Sequence, residues 1–134
     1  MRVPLIDWRD VRFVPNLDKV VPLEYINASR SLPDGCFALR VRDDAMRDYF
    51  YEGDIVIVNP EAWVNPGNIV IGRACIGDVE RFVIRSYIPV GYDKGIGEIY
   101  ELQPMARCHP KLHSVKDDLS VIGVVVEMIR RIKW

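Results

Sequence analysis

Three groups of side chains in this chain have the types and spacing that chemistry needs. Asp43-Asp44 and Glu52-Gly53-Asp54 bring four carboxylates close together in sequence. Carboxylates in unlike surroundings can divide general-acid and general-base work, and a cluster of them can hold a divalent cation. Nothing in this spacing assigns two roles, however, and carboxylates at turns commonly cap and face solvent. Cys108-His109-Pro110-Lys111-Leu112-His113 carries three metal-ligand types in one short stretch. A zinc site usually takes four ligands, from two clusters, and no second cluster stands elsewhere. The stretch reads as a polar loop, and neither a metal nor any other cofactor is expected. The third group is basic: Arg40, Arg42 and Arg85 lie in strand-like runs. Of the 18 basic residues 13 are arginine, and no lysine stands between Lys19 and Lys94. Arginine keeps its proton to above about pH 12 and cannot act as a general base.

The elements that must position these groups are mostly strands. Phe37, Leu39 and Val41 alternate with Ala38, Arg40 and Arg42, which sets the large apolar groups on one strand face. Ile55 to Val58 is apolar on both faces, as in a strand buried within a domain. Further strands are expected at 69–74, 81–88, 99–102 and 121–128. Gly77-Asp78 should close a hairpin, and Asp93-Lys94-Gly95 another turn. Gly123 inside the last apolar run suits a bulge or a close backbone approach. Residues 103–118 read as a loop. Before residue 35, Pro4, Pro15, Pro22 and Pro33 favour extended or turn structure, with one short helix expected over 23–31. Trp8 is expected to pack this segment onto the body, and Trp63 to cover the loop before Pro66.

With 134 residues, 49% apolar and 28% charged, the chain has the composition of one soluble domain. A net charge of -1 argues against a free-standing nucleic-acid binder. No apolar run approaches the roughly 18 residues that cross a membrane, and the first residues are too polar for a secretory leader. Cys36, Cys75 and Cys108 are an odd, unclustered set that suits a reducing cytoplasm.

Cys36-Phe-Ala-Leu-Arg-Val-Arg-Asp-Asp-Ala45-Met46, followed by Tyr51-Glu-Gly-Asp-Ile-Val-Ile-Val-Asn-Pro60, resembles the core of the LexA-type self-cleaving peptidases, which include phage repressors and UmuD-like proteins. In that family a strand enters a Gly-Asp-Ser-Met turn, and an Asp-Gly-Asp turn starts the next strand. The resemblance puts Ala45 at the nucleophilic serine and, through Arg81-Phe-Val-Ile-Arg85-Ser86, Arg85 at the lysine base. Val3-Pro-Leu through Val11-Arg12 resembles the segment that carries the scissile Ala-Gly, with Val11 and Arg12 in its place. Asp118-Leu-Ser-Val-Ile-Gly-Val-Val-Val resembles the last strand.

The resemblance implies a mostly β fold of the LexA C-terminal type, with largely antiparallel strands and one or two short helices. Residues 1–34 would be the cleavage-region equivalent packing on a body of 35–134, the whole being one domain. Nucleophile, base and cleavage site would all be lost, leaving a cleft lined by Asp43, Asp44 and Met46. There Arg85 would pair with Asp43 or Asp44, or the cleft would still hold a peptide uncut. The implied function is a non-catalytic dimerisation and regulatory domain of a prophage-type or stress-response transcriptional repressor. The alternatives are a self-cleaving peptidase disabled at its serine, or a stand-alone UmuD-like accessory protein. The expected partners are a second copy of the chain, met through Val124, Val126, Met128 and Trp134, and an antirepressor or other protein. DNA would be reached only through an N-terminal head absent from this chain.

Overall fold

A computed structural model of the chain describes residues 1–132. Trp134, one of the residues expected at a dimer surface, lies outside them. Nine strands form one sheet: β1 (Arg2–Leu5), β2 (Glu24–Asn27), β3 (Phe37–Arg40), β4 (Ile55–Asn59), β5 (Ile69–Ile76), β6 (Val79–Asp93), β7 (Gly97–Gln103), β8 (Leu112–His113) and β9 (Leu119–Ile129). Their order is β2-β1-β3-β4-β9-β5-β6-β7-β8, with only the β1–β3 pairing parallel. A six-residue 3-10 helix, Trp8–Phe13, is the one helix among the described residues. The fold is mostly β and largely antiparallel, as the strand patterning requires.

The last strand sits in the middle. β9 pairs with β4 on one side and β5 on the other, so the end of the chain joins its two halves. Its residues pack against all three apolar clusters. The first cluster holds Val11, Phe37, Leu39, Val41, Met46, Val56, Val58, Ile71 and Ile84. The second holds Val3, Leu5, Ile26, Ala38, Ile55 and Ile57. β4 therefore sends alternate residues into two clusters, which explains a run apolar on both faces. Each such side chain contributes about 1.5–3 kcal/mol by leaving water. At the β5–β6 hairpin Ile76 pairs with Val79 across Gly77 and Asp78, both at positive φ (55° and 65°). That is the backbone a two-residue hairpin turn demands.

Three local expectations differ from what is observed. Residues 24–27 form a strand instead of part of a helix. Arg2 to Leu5 pair with Asn27 to Glu24, which buries Ile26 against Val3 and Leu5, and this packing overrides a weak local helix preference. The 103–118 loop contains the short strand β8, held by Leu112 opposite Leu102. Trp63 is 91% exposed and covers nothing. Trp8 does pack the N-terminal segment down, touching the first cluster and donating its indole N–H to the Arg40 carbonyl at 2.7 Å.

Candidate functional site

β3 runs out through Val41 into a tight turn. Ala45 N–H donates to Asp43 Oδ1 at 3.0 Å, and Phe50 N–H donates to the Met46 carbonyl at 2.9 Å. The aspartate thus shapes the turn locally, as short carboxylates do. From above, the Ala45 carbonyl accepts both Met105 N–H (2.8 Å) and Ala106 N–H (2.9 Å), which pins the loop after β7 over this position. Ala45 and Met46 are fully buried. Below, Val41 exchanges backbone hydrogen bonds with Gly53 and Asp54, so the turn before β4 holds the strand that delivers Asp43 to Met46.

That second turn is itself locked. Asp54 is 4% exposed and accepts Tyr51 N–H at 2.9 Å. Arg130, just after β9, donates to it through Nε (2.9 Å) and Nη2 (2.7 Å). Arg130's hydrogen bond, more than any other influence, holds the Asp54 carboxyl below its usual range. This carboxylate is committed to holding the turn.

Arg85 lies on β6 opposite Val70 and is 5% exposed. Its Nη1 donates to the Ile84 carbonyl at 2.7 Å, while Nε is buried without an acceptor among the described residues. Burial lowers its pKa, Asp43 opposes that shift, and the like charge of Arg42 adds to it. Arg42 donates to the Phe82 carbonyl at 2.6 Å and stacks 4.2 Å over Trp8. Its own pKa is lowered, chiefly by burial of the guanidinium. Arg85 and Arg42 share with Asp43, Trp8 and Arg12 a cleft of about 650 Å³. Ala45 and Met46 are not part of its lining.

The expected ion pair of Arg85 with Asp43 or Asp44 is not formed. Asp43 is taken up by the turn, and Asp44 turns away to His109, whose Nε2 lies 2.7 Å from its Oδ1. That contact lowers the Asp44 pKa. Cys108 joins this pair, the three ligand atoms lying within 4.8 Å of one another at an exposed site. The sequence could not show this meeting, because Asp44 is 65 residues from His109. Val11, at the cleavage-site equivalent, is buried in the 3-10 helix among the same cluster as Met46, while Arg12 is exposed at the cleft. On β9, Val124 is buried in the third cluster, Val126 is half-buried and Met128 is 36% exposed.

A strand-to-turn bearing residue 45, a hairpin strand bearing residue 85 and an N-terminal segment packed on the body are the elements that the sequence resemblance leads one to expect. The Peptidase S24-like family matches residues 11–126, and the chain belongs to that family. It is 25% identical over 137 aligned residues to the HTH-type transcriptional regulators for conjugative elements R391 of Providencia rettgeri and SXT of Vibrio cholerae. Each match covers 96% of this chain and 60% of the relative. It is 34% identical over 105 residues to the LexA repressor of Magnetococcus marinus, covering 77% of this chain and 41% of that protein. The chain thus spans less than two thirds of the length of each of these relatives. No helix among the described residues is long and apolar enough to cross a membrane.

Proposed function

We propose that this chain is a non-catalytic dimerisation and regulatory domain of a transcriptional repressor of the prophage or conjugative-element kind. Residues 1–34 serve in it as a degenerate cleavage region on the body of 35–134, all as one domain. What carries the reading is the motif resemblance that puts Ala45 and Arg85 at the nucleophile and base positions. A methyl group cannot attack a carbonyl, and a guanidinium cannot take the proton. Val11 is locked in the core instead of being presented to a cleft. The resemblance to HTH-type regulators supports a DNA-binding head supplied outside this chain. Dimeric readers need such a module because it fixes half-site spacing. With no self-cleavage, release would come from another protein docking on this domain.

Ala45→Ser, incubated at neutral and at alkaline pH and followed by intact mass, tests the loss of catalysis. The variant should stay whole at both pH values while remaining folded. Fragments breaking near residue 11 would show a working base and make the protein a disabled peptidase.

Dimerisation has its own test. In this reading β9 supplies the contact, and Met128 is the member of the expected set exposed at 36%. Sedimentation equilibrium should give a dimer for the wild type and about a tenfold weaker one for Met128→Glu, since a carboxylate would be buried at the interface. A wild type that stays monomeric at high concentration would remove dimerisation from the proposal.

A further inference from the structure

A guanidinium withdrawn from water needs acceptors for its N–H groups, and a buried polar group left without one is costly. Arg85 is the case here. Its Nη1 is committed to Ile84, and its buried Nε has no acceptor among the described residues. No hydrogen bond from its Nη2 is made among the described residues, so the whole Nε–Nη2 edge is free. The same protein shows what such an edge takes: Arg130 grips the Asp54 carboxylate through Nε and Nη2 at 2.9 and 2.7 Å. Planar two-donor edges match planar two-oxygen anions.

The surroundings point the same way. Of the charged groups lining the cleft, Arg9 is paired with Asp7 and Glu80 with Arg73. Arg12, Arg42, Arg81 and Arg85 enter no ion pair among the described residues; the carboxylates beside them are Asp7, shared with Arg9, and Asp43, its Oδ1 already held by Ala45 N–H. The cleft therefore carries an excess of positive charge around a guanidinium whose buried Nε lacks an acceptor among the described residues. Asp7 and Asp43 limit how much negative charge it can admit, which favours a monoanionic head over a phosphate dianion.

We propose that this cleft is a carboxylate-binding site, with the carboxylate forked onto Arg85 beside Arg42 and Trp8. The site rests on the non-catalytic reading, because a residue that holds a ligand in this way replaces the base of the peptidase. The carboxylate can come from a small diacid or from an acidic side chain of a peptide. Its chemistry at Arg85 is the same in either case.

The test uses the intact chain at constant ionic strength and neutral pH. Glutarate, an end-blocked glutamate peptide and sulfate are each titrated, with melting temperature and the Arg85 Nε–H NMR signal as readouts. Ligand that binds only the folded state raises the melting temperature in a saturable way. Glutarate or the peptide should do so in the wild type and shift the Arg85 signal. Binding should be about tenfold weaker in Arg85→Met. Arg42→Gln, which leaves the buried group in place, should also weaken it and serves if Arg85→Met does not fold. A stronger response to the peptide assigns a protein source, and a stronger response to glutarate a small-molecule source. No saturable response in the wild type, equal responses in the variants, or sulfate binding as tightly as the carboxylates would overturn the site. Cleavage in Ala45→Ser with carboxylate binding intact would sink the non-catalytic reading alone. An uncut Ala45→Ser with no carboxylate response would sink this site alone.

Discussion

Asp54→Ala should destabilise the chain by about 3 kcal/mol at neutral pH and loosen the turn that carries Asp43 to Met46. The alanine removes a two-point grip by Arg130 and an acceptor for Tyr51 N–H, at a carboxylate that is 4% exposed. The lower end of the range for breaking a buried pair applies, because Arg130 is half exposed and its charge returns to water. The pH dependence follows from the sign of the shift. Arg130 depresses the folded pKa of Asp54 below its unfolded value of about 3.9, so the pair's contribution is complete above that value. It is lost as pH falls through the lower, folded value. Urea unfolding of wild type and variant should show the same gap at about pH 7 and pH 5.5, and a shrinking gap below about pH 4. A gap that widens on acidification would contradict the assignment. Because Asp54 and Gly53 are hydrogen-bonded to Val41, amide exchange across 41–46 should quicken in the variant.

Gly123→Ala should cost about as much, roughly 3 kcal/mol, through overpacking. A Cβ there would stand 2.6 Å from Val58 Cγ1, 3.0 Å from Pro60 Cα and 3.1 Å from the Asn59 carbonyl oxygen. Two of those atoms are backbone and cannot rotate aside. The position is also where the β5–β9 register shifts, Ile71 facing Gly123 and Gly72 facing Val121. Gly72→Ala is the internal comparison, since its Cβ would meet chiefly the end of the Leu102 side chain. It should cost less, about 1–2 kcal/mol. Equal losses in thermal melts, or a harmless Gly123→Ala, would mean that β4 can move away from β9.

How legible the fold was differs from strand to strand. β4, β5, β6 and β9 were each visible as apolar runs between turn residues, because both faces of a central strand are buried and leave a mark on the sequence. Gly123 announced its bulge for the same reason. β2 did not, since its Glu24-Tyr25-Ile26-Asn27 pattern is short and takes its shape from pairing with β1. β8 is two residues long and exists only through Leu102 and Leu112. The site was legible in part. Ala45 and Arg85 could be assigned by motif, yet the side chains around them could not be paired. Asp43 or Asp44 was expected to pair with Arg85, but Asp43 shapes its own turn, while Asp44 meets His109, 65 residues on, with Cys108 beside it.

By itself the sequence determined the kind of chain this is: a mostly β member of the Peptidase S24-like family, with Ala45 and Arg85 at the positions that the proposed reading takes for nucleophile and base. Those are properties of residue type and local order, and both are written one position at a time. Only the tertiary structure decided that β9 threads between β4 and β5, that Asp54 is clamped by Arg130, and that Arg85, its Nε buried without an acceptor among the described residues, lines a cleft with Arg12, Arg42 and Arg81, none of them ion-paired among those residues. Each depends on groups tens of residues apart meeting at hydrogen-bond distance, and burial and pairing of that kind exist only once the chain has closed on itself.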